Sequence, residues 1–207
     1  MKKYITIATM LILSVAALAG CGKEKANGDT NTNTAEKISL GESLTIPVKE
    51  ISKIEGPVYL RLSRLATPII YDKNYKFEIG KAIQFGEGTD GTIFSTGVTV
   101  AESIKAQEIL KEKGINVRVI DIHTIKPIDK EIIKKSAKET KKLISIEDHN
   151  TIGGLGSAIS EVLTEIYPKQ LIRMGIPDTF GKSGKAEELM KYFKITAEDI
   201  VEKMIEI

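Results

Sequence analysis

The sequence predicts an α/β domain, a three-layer sandwich around a mixed, mostly parallel sheet. Two observations carry that prediction. Beyond Gly91 short apolar runs alternate with longer amphipathic stretches, and that order pairs strands in parallel through right-handed helical crossovers. Ahead of them, KAIQFGEGTDGTIFST reads as two strands about a Gly- and Asp-rich turn, with Asp90-Gly91 as the hairpin signal that adds one antiparallel strand.

The elements follow in order. VYLRLSR (58–64) alternates Val58, Leu60 and Leu62 against Tyr59, Arg61 and Ser63, as a strand does. After the two strands at the turn, Gly97 ends IFST, and VTVAESIKAQEILKEKG is an amphipathic helix closed by Gly114. NVRVIDIHTI (116–125) is a strand stopped by Lys126-Pro127, and Asp129 N-caps the helix KEIIKKSAKETK. LISIEDH (143–149) is a strand, NTIGG a turn and LGSAISEVLTEIY a helix. QLIRMGI (170–176) gives the last strand, and helices near AEELMKYF and ITAEDIVEKMIEI finish the chain, the second capped by Thr196 with Asp199 three residues on.

The first residues have a different grammar. Lys2-Lys3, an apolar run and small residues before Cys21 describe a secretory signal peptide over 1–20. LAGC (18–21) is similar to the lipobox of bacterial lipoproteins, which implies cleavage before Cys21 and lipidation of its thiol. Acyl chains there would hold the chain on the outer face of the cell membrane, with the lipid bilayer as partner. Residues 22–37 are polar and Gly/Asn/Thr-rich, so 21–55 reads as a flexible tether, with short alternations at 44–46 and 48–51 that suit short strands.

Composition excludes several functions. Hydrophobic residues at 42% and charged ones at 28% suit an ordinary globular chain. Lys2 and Lys3 account for the whole formal charge of +2, so the remainder is neutral and offers no electrostatic case for nucleic acid. Cys21 is the only cysteine, which rules out an intrachain disulfide or a multi-cysteine metal site.

Candidate chemistry is sparse. GGLG (153–156) lies between strand and helix like a dinucleotide turn, but Ile159 stands where the fingerprint needs Gly or Ala, so tight packing at a helix start accounts for the glycines better. TFGKSG (179–184) lacks the Walker spacing. Glu147-Asp148-His149 ends a strand where α/β sites form, and reads either as proton-transfer or metal chemistry or, more plainly, as a loop histidine at the sheet edge. His123 reads as a core or interface residue, and Ser157 lacks the context of a hydrolase elbow.

Several strings in order resemble the transketolase family: GPVYLRLSR (56–64), FEIGKAIQFGEGTDGTIFSTG (77–97), VIDIHTIKPID (119–129), ISIEDHNTIGGLGSA (144–158) and GIPDTFGKSGKAEELMKYF (175–193). The resemblance is to the C-terminal section of split transketolases, with deoxyxylulose-phosphate synthase related. It implies a remnant of the pyrimidine-binding domain's last strand and a linker over 56–70, and a C-terminal-like domain over 71–207. It also implies thiamine diphosphate and Mg²⁺ in the complete enzyme, a homodimer or an N-terminal transketolase chain as partner, and a substrate-phosphate role for Arg64. A guanidinium suits that role through its bidentate fork. The family holds diphosphate with a GDG motif that this chain lacks, so it is expected to bind no cofactor alone, to have no catalytic residues of its own, and to act as a structural or dimerisation part of a ketol transferase. The alternative expectation is a membrane-anchored lipoprotein whose α/β module binds another partner or ligand. Export conflicts with phosphosugar chemistry in the cytoplasm, where the chain would work if the leader came from a chimeric gene.

Overall fold

In the computed structural model, which describes residues 40–63, 67–72 and 74–206, the sheet is built outward from a buried centre. Strand β2 (Gly91–Ser95) is buried at every residue and pairs in parallel with β3 (Val117–Asp121) on one side and β4 (Lys142–Asn150) on the other. Strand β5 (Ile172–Ile176) joins β4 in parallel, and the three-residue β1 (Ile83–Phe85) lies antiparallel to β3. The order is therefore β1-β3-β2-β4-β5, the mixed, mostly parallel sheet expected.

Side-chain alternation along the strands divides the core in two. Ile93, Val117, Val119, Ile144 and Ile146 face helix α2 (Thr99–Glu112) and the last helix, α6 (Ala197–Ile205). Phe94, Ile120 and Leu143 face α3 (Lys130–Glu139) and α4 (Leu155–Ile166). Central parallel strands covered on both faces must be apolar almost throughout, which is why these runs read so clearly. A short helix, α5 (Ala186–Tyr192), precedes α6.

The helix boundaries have local causes. Asp129 Oδ1 accepts the Ile132 amide at 3.2 Å and its Oδ2 accepts the Ala82 amide at 3.0 Å, so one carboxyl starts α3 and pins the entry to β1. Gly114, at φ +77°, turns the chain out of α2 and lets the Ile115 amide reach Leu110 O at 2.9 Å. Arg118, 5% exposed, donates Nε and Nη2 to Gly88 O and Nη1 to Glu139 at 2.7 Å, tying the loop before β2 to the end of α3.

Three local expectations are corrected. The runs 83–85 and 91–95 do not form a hairpin with each other, because β3 lies between them; the antiparallel strand exists but pairs with a partner distant in sequence. Residues 44–51, read as short strands, belong to the helix α1 (Leu40–Ile51), although Pro47 lies inside it. Leu40, Leu44, Val48 and Ile51 also recur at helical spacing, and alternations this short cannot separate the two periods. The segment 57–63 has no sheet partner among the described residues, and a strand without a neighbour has no ladder to hold it. Its apolar side chains are exposed, Tyr59 at 87%, and Arg61 Nη2 donates to Asp148 O at 3.0 Å.

Candidate functional site

Parallel α/β sheets place ligands at the carboxyl ends of their strands, where neighbouring connections leave for opposite faces. Here α2 leaves β2 for one face and α4 leaves β4 for the other, so that point lies between the ends of β2 and β4. The chain fills it with its own groups. The buried Thr99 hydroxyl donates to Thr96 O at 2.9 Å and Ile146 O at 3.1 Å, stitching α2 to both strand ends.

Beside it, Glu147 is 1% exposed and turns under the start of α4. Its Oε2 accepts the Leu155 amide at 2.7 Å and its Oε1 the Gly156 amide at 2.9 Å. Free amides and the helix dipole make such a terminus attractive to an anion, and an internal carboxyl already satisfies it. The glycines of GGLG make the room: a Cβ on Gly154 would collide with Glu147 Oε2, and one on Gly156 would meet Ser145 Oγ at 2.8 Å and Arg173 Cδ at 2.9 Å. The described residues thus do not fit a diphosphate at this turn, since Glu147 holds the amides that would bind it.

The other candidates separate in space. Asp148 offers its carbonyl to Arg61, and His149, within β4 rather than in a loop, is exposed, so Glu147, Asp148 and His149 do not converge. Residues 179–184 are exposed and irregular, with Phe180 at 96% and Lys182 Nζ 5.0 Å from the Tyr192 ring centroid. Ser157 Oγ accepts the Gly153 amide at 2.9 Å and serves the turn. Cys21 and Arg64 lie outside the described residues.

A polar cluster not expected from the sequence lies at the end of β3. Asp121, 5% exposed, accepts a hydrogen bond from the Tyr71 hydroxyl on Oδ2, while its Oδ1 and the neighbouring Ser95 Oγ are buried without partners among the described residues. Ser95 and Asp121 are register partners on adjacent parallel strands, so they share a sheet face. Tyr71 stacks on Tyr75 with centroids 4.1 Å apart, and Phe77 on His123 at 4.5 Å. His123 Nδ1 pairs with Thr124 Oγ1 at 2.9 Å, and its buried Nε2 has no partner within hydrogen-bonding geometry among the described residues.

Burial sets the protonation of this cluster. It pushes the Asp121 carboxyl up to about 6, against the pull of the Tyr71 hydrogen bond. Burial also raises the Tyr71 phenol, reinforced by the Asp121 charge, and lowers the His123 imidazole against the opposing influence of Asp129. The cluster can hold a proton near neutrality, but its groups are covered by the chain's own aromatic rings. Its one sequence signal is an acidic residue on the inward-facing side of VRVID, where Val117 and Val119 are core.

Comparison with known proteins places this architecture. Residues 80–200 match the model of the transketolase C-terminal domain. A Methanocaldococcus jannaschii protein named for a transketolase C-terminal section is 46% identical over 162 residues, covering 77% of this chain and 50% of that protein. The 6-deoxy-6-sulfo-D-fructose transketolase subunit SqwH of a Clostridium species is 42% identical, covering 74% of this chain and 48% of the subunit. Among solved structures, a split-gene transketolase described as an inactive beta4 tetramer superposes with a TM-score of 0.75 at 38% identity, over 78% of this chain and 53% of that one. The chain spans about half the length of these relatives.

These matches overturn the expectation of a lipoprotein held on the outer face of the cell membrane with the bilayer as its partner through Cys21. What the chain matches over three quarters of its length are transketolases and transketolase subunits. Among the described residues, no helix is long and apolar enough to cross a membrane.

Proposed function

Because the chain belongs to the transketolase C-terminal domain family, we propose that it is an assembly part of a thiamine-diphosphate-dependent ketol transferase and is not catalytic alone. The observation that carries this reading is Glu147: the one strand-to-helix turn built of glycines spends its free amides on a buried internal carboxyl. The groups able to move a proton near neutrality, around Asp121, lie beneath Tyr71 and Tyr75. The inactive beta4 assembly of the solved relative supports the same reading, in which β-type chains associate and activity waits for a further subunit. Residues 71–207 would then be the associating domain, and thiamine diphosphate with Mg²⁺ would be held by the partner chain.

Light scattering and calorimetry test the proposal. The chain alone is expected to associate with itself, to give no heat with thiamine diphosphate and Mg²⁺, and to transfer no ketol group. With the N-terminal transketolase chain of the same cell added, binding heat is expected. Cofactor binding or turnover by the chain alone would refute the reading.

A further inference from the structure

Beyond that function stands the Tyr71–Asp121 contact, a buried carboxyl held by a phenol. A carboxyl group closes β3 on the face carrying Val117 and Val119, and its one hydrogen-bond donor among the described residues is a phenol from a segment outside the sheet. That segment lies on the sheet edge through alternate residues, with Tyr75, Phe77 and Ile79 half-buried and Asn74, Lys76 and Glu78 exposed. Rings connect it to the strands: Tyr71 to Phe85 of β1 at 5.7 Å, Tyr75 to Phe77 at 6.5 Å, and Phe77 to His123 at 4.5 Å. It is also the stretch through which residues 57–63 enter the domain.

We propose that the grip of this aromatic segment on the end of β3 is controlled by one proton on Asp121, firm when the carboxyl is neutral and loosened when it ionises. The neutral acid accepts the Tyr71 hydroxyl on one oxygen and can carry its proton on the other, beside Ser95. The anion in the same place has a buried oxygen with no donor among the described residues, a cost relieved by letting water in, and that requires the rings to lift. The titratable groups facing Asp121 are Tyr71 and Tyr75 from the segment above it. Two residues along the chain stands His123, which is faced in turn by Asp129. The carboxyl's displacement from 3.8 to about 6 accords with this grip and fixes the pH range in which it changes.

His123 acts in the opposite sense. Held below its ordinary value by burial, it resists gaining a proton while the rings are closed, so acid loosens its contact with Phe77. The two groups are separable by substitution.

Hydrogen exchange of the amides of residues 74–80 in the intact chain, corrected for the intrinsic pH dependence, reads the grip directly. Protection is expected to fall by about tenfold between pH 5 and pH 8, the part above pH 5 of the roughly hundredfold factor that about two pKa units supply. Asp121→Asn should abolish the fall and leave only the opposite, His123-dependent rise of protection with pH, while His123→Gln should keep the fall. Tyr71→Phe keeps the ring but removes the donor that favours the anion, so its half-loss should move to higher pH. Constant protection in the unaltered chain, the same fall in Asp121→Asn, or loss of the fall in His123→Gln would overturn the proposal. Should Asp121→Asn fail to fold, Tyr71→Phe decides: a half-loss that stays or moves to lower pH is the overturning result.

Discussion

Glu147 and Gly156 meet as carboxyl and backbone amide at 2.9 Å, nine residues apart, across the turn that leads β4 into α4. The contact makes the turn self-contained: the helix start, the glycines and the strand end depend on one side chain.

That dependence is testable. Glu147→Gln replaces one acceptor oxygen with an NH₂ that cannot accept the amide it faces, and should cost roughly 1–3 kcal/mol in urea unfolding. Gly154→Ala should cost at least as much, because the new methyl displaces the Glu147 carboxyl. If the carboxyl is the reason for the glycine, the penalty of Gly154→Ala shrinks in a Glu147→Ala background, and a double-mutant cycle measures that coupling. Strictly additive losses would contradict it.

Asp121 makes a prediction about pH. Its folded-state value, about 6, lies above the value of 3.8 expected when unfolded, so the folded chain binds this proton more tightly. The resulting stabilisation is complete below about pH 4 and is lost as pH rises through about 6, a change of roughly 3 kcal/mol. Asp121→Asn removes that dependence. The difference in unfolding free energy between variant and unaltered chain should therefore shift in the variant's favour by about that amount from pH 4 to pH 7. Equal slopes for the two proteins would count against the buried acid.

Arg118 links three parts of the fold with two hydrogen bonds to Gly88 O and one to Glu139. Arg118→Lys keeps the charge but offers one ammonium in place of a planar fork, so it should recover little of the loss caused by Arg118→Met. Both should lower the unfolding free energy by roughly 1–3 kcal/mol, the cost of a part-buried carbonyl left without its donors. Thermal unfolding of the two variants side by side measures this.

At α6 the Asp199 carboxyl accepts both the Thr196 amide at 3.0 Å and its hydroxyl at 2.7 Å. Asp199→Ala should cost about 1 kcal/mol, as loss of a helix cap does. Asp199→Glu, a residue common at this place in capping boxes, should recover most of it in the same denaturation assay.

The Asp199 cap was legible in advance because its signal is local: Thr, two residues, then Asp. So were β2, β3 and β4, since strands covered on both faces must be apolar, and Asp129, which caps α3 as expected. The site was harder to read. Glu147 looked like one of three adjacent polar residues, and only its backbone partners beyond the turn give it a role. Asp121 and Tyr71 are 50 residues apart, and no periodicity joins them. Residues 57–63 have the alternation of a strand, but alternation describes two faces and does not supply a neighbour. The Asp90-Gly91 hairpin failed for a related reason: turn residues bend the chain, while pairing depends on which edge is free.

The separation of β1 from β2 also bears on how the sheet can assemble. Phe85 pairs with Val119 instead of with a residue across the nearest turn, so β1 has no edge to join until β3 is in place. Contacts that close long stretches of chain form late, because their entropy must be lost before they return anything. The β2-α2-β3 unit is then the expected nucleus and β1 a late arrival. Substitutions in Ile83–Phe85 should accelerate unfolding while leaving the folding rate nearly unchanged, and substitutions at Ile93 or Val119 should slow folding itself.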